Sequence, residues 1–206
     1  MLFKKNSKSH WDKIYSTYNI EQLGWYEKDS RESLKLINKT NIKSNILDVG
    51  CGKTTLIRSL LEKGCENIIG VDLSERAIND LKLDLEEYSD KIDIFQCDIL
   101  KLNLDEKVDI WHDRAVLHFL NSKKEEEKYF SQLKRYLNHK GYFILATFSK
   151  SNKNKCTGLK VRTWDENEVL ERLGKSFSLI EAHDYMYTMP SKDLREFRYM
   201  MFRREE

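Results

Sequence analysis

The amino-acid sequence predicts an α/β fold: a three-layer sandwich built on a mostly parallel sheet of seven strands with an antiparallel last strand. Short apolar runs alternate with stretches of helical periodicity from Ile46 onward. That alternation requires crossover helices, and so parallel strands covered on both faces. The last two strand-like runs are separated only by Thr188 to Glu196, too short for a crossover helix, so they pair antiparallel. No linker, repeat or composition break divides the 206 residues, and the expectation is one domain over 1–206. Residues 1–40 form a helical cap in that reading, and residues 41–206 form the core.

The elements follow in order. Ile46-Leu47-Asp48-Val49 is a first strand that ends at Gly50. Apolar positions 56, 57, 60 and 61 mark a helix over Leu56 to Lys63, and Gly64 stops it. Asn67 to Val71 is the second strand and runs into Asp72. Ser74 is a good N-cap for a helix to about Glu87, with Ala77, Ile78, Leu81 and Leu85 as its stripe. Ile92 to Cys97 alternates with period two, and Val108 to Trp111 is a fourth strand. A helix over Glu125 to Leu137 leads to the continuous apolar run Tyr142 to Phe148, which suits a central buried strand. Thr163 and Asp165 are candidate caps for a helix through Leu173. Phe177 to Tyr187 and Phe197 to Phe202 are the closing strands.

Upstream of the first strand, Trp11 and Tyr15 share a helix face at i and i+4. Trp25-Tyr26 follows, and then Asp29-x-x-Glu32, a capping-box-like start. The polar segment Ser149 to Lys160 follows the fifth strand at its carboxyl end, where ligands sit in open α/β sheets.

Bulk properties exclude several classes. Lys plus Arg number 36 against 34 for Asp plus Glu, so no strong field attracts nucleic acid or a membrane surface. The arginines 195, 198, 203 and 204 read as a solvated face. No apolar run approaches the ~18 residues of a membrane span. The lysines at 4, 5 and 8 precede no apolar stretch of a signal peptide. Cys51, Cys65, Cys97 and Cys156 lack metal-ligand spacing, so no metal site is expected. These features fit a reduced, cytoplasmic protein, expected to be a monomer or weak dimer.

The chemistry gathers at strand ends. Gly50 and Gly52 in Asp48-Val49-Gly50-Cys51-Gly52-Lys53-Thr54 let the backbone approach a ligand, and the following helix offers unpaired N–H groups to a carboxylate. Asp72, at the end of the second strand, suits a ribose diol, and Asp98, after the third, suits an adenine amino group. Gly52-Lys53-Thr54 resembles the tail of a P-loop, but Leu47 stands where the first Gly belongs. Thr55 stands where a dehydrogenase fingerprint has its third Gly.

These motifs, with Val71-Asp72-Leu73-Ser74, Cys97-Asp98-Ile99 and the block Val108 to Leu120, resemble the ordered motifs of class I S-adenosylmethionine-dependent methyltransferases. The resemblance covers roughly residues 40 to 148 and implies a Rossmann-like fold. It implies S-adenosylmethionine as cofactor and S-adenosylhomocysteine as product. It also implies that Gly50, Cys51 and Gly52 face the methionine moiety, Asp72 the ribose, and Asp98 with Ile99 the adenine, with Thr54 and Leu73 also at the cofactor. Thr54 departs from the family's usual small residue. The entry segment resembles small methyltransferases with Trp-Asp-x-x-Tyr and then Trp-Tyr, in which Trp11, Tyr15 and Trp25 would close over the cofactor, their faces beside the sulfonium.

Trp111-His112-Asp113-Arg114-Ala115-Val116-Leu117-His118 is dense in polar groups for an apolar segment. Asp113-Arg114-Ala resembles the Asp-Arg-Gly-Ala stretch of thiopurine S-methyltransferases. Asp113, Arg114, His118 and His112 are therefore the expected acceptor-side, catalytic residues, with Asp113 also at the cofactor. Arg114 or a histidine would favour a thiolate, and Asp113 or His118 would orient or deprotonate the acceptor. The leading expectation is a small-molecule acceptor, leaning to a thiol. A protein-lysine acceptor and a non-catalytic S-adenosylmethionine-binding protein are the alternatives. Nucleic acid is not expected, because no Asn-Pro-Pro-Tyr-like motif follows the fourth strand. Cys156, Trp164 and Met189 are further candidates for the pocket wall.

Overall fold

The computed structural model describes residues 8–53, 55–151 and 155–205. The chain runs α1 (Lys8–Thr17), α2 (Arg31–Lys39), β1 (Ser44–Val49), α3 (Leu56–Glu62), β2 (Glu66–Asp72), α4 (Glu75–Asp84), β3 (Ile92–Gln96), β4 (Val108–Arg114) and α5 (Lys123–Tyr136). It continues through β5 (Leu137–Phe148), the short hairpin β6 (Lys155–Cys156) and β7 (Leu159–Lys160), α6 (Glu166–Leu173), β8 (Phe177–Thr188) and β9 (Leu194–Arg204). The main sheet has the order β3-β2-β1-β4-β5-β9-β8. Strands β1 to β5 pair parallel, and β9 lies antiparallel between β5 and β8. The fold is thus the Rossmann-like α/β sandwich with an antiparallel last strand. No helix of the described residues is long and apolar enough to cross a membrane.

Alternation along the strands divides the core into two layers. Ile46, Ile68, Ile110, Ile144 and Met201 face α2 and α3, whereas Leu47, Trp111, Phe143, Leu145 and Phe202 face α5 and α6. Caps set the helix starts. Ser74 accepts from Ala77 N, and Ser122 with Glu125 and Asp165 with Glu168 form full capping boxes. Thr163 is not a cap.

The chain leaves β1 toward β2 and β3 and then returns to β4 on the other side of β1. The carboxyl ends of β1 and β4 flank this switch point, where the connections diverge and open a crevice.

The structure corrects four local expectations. The helix after Tyr26 starts at Arg31, not at an Asp29–Glu32 box. Ser30 stands at its N-terminus with φ 41° and turns its hydroxyl to Thr55 at 2.9 Å. The segment Ser149 to Lys160 carries the β6–β7 hairpin, turned by Thr157 (φ 51°) and Gly158 (φ 77°). Trp164 is buried in the core against Phe130 rather than in a pocket wall. Most consequentially, β4 does not stop at Trp111 but runs to Arg114, so the residues from 112 to 114 alternate between the two faces of the sheet.

Candidate functional site

A cleft of about 540 Å³ opens at the carboxyl ends of β1, β2, β3 and β4, a size suited to a small-molecule cofactor. Its floor is the loop after β1. Gly50 N and Cys51 N both donate to Val71 O, at 2.7 and 3.0 Å, which ties the loop to β2. Gly50 and Gly52 hold φ of +68° and +51°, a region where a side chain is strained. A Cβ on Gly50 would come within 2.1 Å of Val116 Cγ2, and one on Gly52 within 2.2 Å of the Tyr15 hydroxyl. The glycines therefore admit the protein's own side chains as well as any ligand. Thr54 lies outside the described residues.

Asp72 braces this floor. One carboxylate oxygen accepts from Gly52 N at 2.9 Å and the other from Ser74 N at 2.8 Å. Each keeps a lone pair for a ligand hydroxyl. Burial raises its pKa to about 6 against the pull of those two N–H groups. Leu73, Asp98, Ile99 and Leu100 line the next stretch of the cleft. Asp98 caps the short helical turn after β3 by accepting from Leu100 N at 3.0 Å. The floor thus offers a carboxylate for a diol, and beside it a polar-rimmed apolar slot for a flat base.

The entry segment forms the roof. Asp12 accepts from the Ser74 hydroxyl at 2.7 Å and from Arg76 N at 3.2 Å, which docks α1 on the start of α4. Trp11, Tyr15 and Trp25 line the cleft, with Trp11 edge-on to Trp25 at 5.9 Å and to Phe119 at 5.2 Å. These rings give the roof an apolar, aromatic lining that suits a cationic centre.

At the far end the walls are Arg114, Phe119, Phe148, Cys156, Arg195 and Phe197. Arg114 donates to Tyr199 Oη at 3.2 Å and to Trp25 O at 2.9 Å, and pairs with Glu27 at 3.1 Å. Its guanidinium lies 4.7 Å from the centre of the Phe197 ring. The residue therefore anchors the entry segment to β4 while turning a cation toward the cleft. Cys156 is buried and faces the cleft from β6, its thiol raised by burial and drawn down in part by Arg195.

The other three acceptor-side candidates are not in the cleft wall. His112 is buried with both ring nitrogens engaged, Nδ1 with Asp48 at 2.7 Å and Nε2 with Ser33 at 2.9 Å. No nitrogen is left for an acceptor, and Ser33 is itself fully buried. Asp113, one residue on, points to the opposite face. It accepts from Tyr129 Oη at 2.6 Å, Val116 N at 2.8 Å and Leu117 N at 3.0 Å. Burial lifts it to about 6, and its carboxylate is engaged by Tyr129 and the turn after β4 rather than turned into the cleft. His118 is fully buried against Phe119 and Phe148, and neither ring nitrogen has a partner among the described residues. Burial, Arg114 and Arg195 push its pKa down to about 3, which makes it a poor base.

Sequence reading missed Arg195, Phe148 and Phe197. Arg195 belongs in sequence to a cluster that reads as a solvated face, yet it is half-buried in the cleft. Its signal was positional: it opens β9, the strand beside β5, whose carboxyl end meets the cleft. No group of three or more His, Cys, Asp or Glu among the described residues is arranged to hold a metal ion.

Comparison with known proteins agrees with this geometry. Residues 41–196 match a family described as "Methyltransferase domain". EEF1A lysine methyltransferase 2 of Homo sapiens is 22% identical over 85% of this chain and 75% of its own length. The Burkholderia thailandensis 1,6-didemethyltoxoflavin-N1-methyltransferase, solved with bound 1,6-didemethyltoxoflavin and S-adenosylhomocysteine, superposes with a TM-score of 0.71 at 19% identity, over 87% of this chain and 80% of that one. A structure reported for "Conversion of a Disulfide Bond into a Thioacetal Group during Echinomycin Biosynthesis" gives 0.75 at 15% identity, covering 96% and 92%.

Proposed function

We propose, for a chain that belongs to the methyltransferase-domain family, that the far end of this cleft receives a small-molecule acceptor and that a thiol is the favoured kind. The protein is an S-adenosylmethionine-dependent methyltransferase. When bound, S-adenosylmethionine would supply a methyl carbon activated by its positively charged sulfur, the carbon–sulfur bond breaking as the acceptor bond forms and S-adenosylhomocysteine leaving.

The residues divide the work. Asp72 accepts the ribose hydroxyls with the lone pairs that Gly52 N and Ser74 N leave free. Asp98, Leu73 and Ile99 flank the adenine, and the loop of Gly50, Cys51 and Gly52 faces the methionine end. Trp11, Tyr15 and Trp25 cover the reacting centre and keep water out. The main requirement is then alignment of the acceptor about 3 Å from the methyl carbon.

The observation that carries the thiol preference is the charge at the acceptor end. Arg195 faces it without a carboxylate partner among the described residues, and Arg114 faces it with its charge offset by Glu27, while the acids of the cleft wall, Asp72, Asp98 and Glu125, belong to β2, to the turn after β3 and to α5. A cationic wall lowers a thiol's pKa and favours the thiolate, so no dedicated base is needed. That agrees with His112, Asp113 and His118 all lying outside the cleft wall. The same cations repel an ammonium group. The lysine reading is favoured instead by the relatives, since the human and mouse EEF1A lysine methyltransferase 2 are 22% and 24% identical to the chain.

The test follows the methyl group. S-adenosylmethionine with a labelled methyl is incubated with the protein and a panel of small thiols including sulfide, and separately with a cell extract. Label in a thioether supports the thiol acceptor. Label in protein, with none in the thiols, replaces it with the lysine reading.

A further inference from the structure

The arginines of this protein are mostly paired with acids. Arg114 meets Glu27, Arg162 meets Glu126 and Glu168, Arg172 meets Glu126 and Glu171, and Arg198 meets Glu166 and Asp184. Arg195, like Arg31, Arg135 and Arg203, has no such pair among the described residues, but it alone of these four is half-buried in the cleft wall. No carboxylate of the described residues is within ion-pair distance of it. Its guanidinium lies 4.7 Å from the centre of the Phe148 ring, and Nη1 is 4.0 Å from the Cys156 sulfur. Arg114 lines the same end of the cleft, so the local charge is positive even with Glu27 in place.

A guanidinium held against one ring and one thiol keeps most of its donors for a ligand. Its planar fork matches a carboxylate in bidentate fashion, and a thiolate less specifically. The aromatic walls Phe119, Phe148 and Phe197 supply the apolar complement. The cation–π contact with Phe148 also holds the guanidinium at the cleft wall, which reduces the entropy lost on binding.

We propose that Arg195 is the anion handle of the acceptor pocket and that the acceptor is a small organic anion, an apolar body bearing a carboxylate or a thiolate. This rests on the methyltransferase reading of the cleft and names its substrate class. An ammonium-bearing acceptor, a lysine side chain included, is disfavoured by the same charge.

The test uses benzoate, benzamide and benzylamine, probes alike in shape and different in charge. Binding is read from the fluorescence of Trp11 and Trp25, with and without saturating S-adenosylhomocysteine. The wild-type protein is expected to bind benzoate at least tenfold more tightly than the other two. Arg195→Gln removes that preference and Arg195→Lys retains part of it, while both bind S-adenosylhomocysteine as the wild type does. A second arm measures methyl transfer to 3-mercaptopropionate, 2-mercaptoethanol and cysteamine across pH. Preference for the first at every pH identifies the carboxylate as the recognised anion. Rates that rise for all three as their thiols ionise, at an apparent pKa that Arg195→Gln moves upward, identify the thiolate, and a pKa that the variant leaves unmoved with no preference for the first overturns the proposal. Benzylamine binding as tightly as benzoate, or a benzoate preference that survives Arg195→Gln, overturns the proposal. Failure to bind S-adenosylhomocysteine overturns the cofactor reading instead, and the probe titrations without it still report on Arg195.

Discussion

Replacing His118 by Phe isolates one buried titration. The imidazole is fully buried between Phe119 and Phe148, with ring centres 4.4 and 4.7 Å away, and neither nitrogen has a partner among the described residues. Its pKa falls from the ordinary 6.5 to about 3. The unfolded chain therefore takes up a proton below pH 6.5 that the folded chain refuses, and the stability present above that pH is lost as pH falls toward about 3. Each pH unit in that window is worth about 1.4 kcal/mol, so moving from pH 7 to pH 4.5 costs the wild type about 3 kcal/mol through this residue. Asp72 and Asp113, both raised to about 6, act in the opposite sense, because the folded chain protonates first and gains stability as pH drops through that value. Wild-type and His118→Phe proteins share those two acids, so their difference isolates the histidine. Urea unfolding at pH 7 and pH 4.5 should show the variant gaining about 3 kcal/mol on the wild type at the lower pH. A difference that does not change with pH would mean that the imidazole protonates inside the fold, and would restore it as a candidate acid or base.

Four further outcomes are expected. Asp72→Ala weakens S-adenosylmethionine binding at least tenfold, about 1.4 kcal/mol, by equilibrium dialysis; an unchanged affinity would remove Asp72 from the cofactor site. Wild-type affinity falls as pH drops below about 6, where the Asp72 carboxylate is protonated, while Asp72→Asn gives a weaker, flat profile; parallel profiles would put the titration elsewhere. Gly50→Ala costs about 3 kcal/mol from the Val116 clash and the positive φ, and adding Val116→Ala recovers about 2 of it, as thermal unfolding of the double-mutant cycle would show. Asp113→Ala leaves the Tyr129 hydroxyl and two backbone N–H groups without their acceptor. It lowers stability by about 3 kcal/mol, and normal stability with lost turnover would return Asp113 to the reacting centre.

Strand ends and glycine positions were legible because their causes are local. Val49-Gly50, Val71-Asp72 and Gln96-Cys97-Asp98 each join an apolar strand to a turn, and a parallel sheet brings such turns to one edge. The strand-end positions that floor the cleft, from Gly50 to Ile99, followed from order and pattern together with the motif resemblance, and the antiparallel ending followed from the short last connection. The acceptor end did not. The polar block from His112 to His118 was read as a unit, but β4 carries three residues more than its apolar run. A strand alternates faces, so those residues send His112 to Asp48, Asp113 to Tyr129 and Arg114 to the cleft.

The sequence by itself determined the α/β architecture and the strand-end turns that floor the cleft, because each depends on periodicity and turn chemistry within a few dozen residues, and the methyltransferase-domain family followed from the motif resemblance that those turns carry. Only the tertiary structure decided which polar groups face the acceptor. Burial and partners there come from elements far apart in the chain: Arg114 meets Glu27, and Arg195 meets Cys156 on the small hairpin. A charge inside a protein takes its properties from the counter-charges and solvent around it, and those are set by packing rather than by neighbours in sequence.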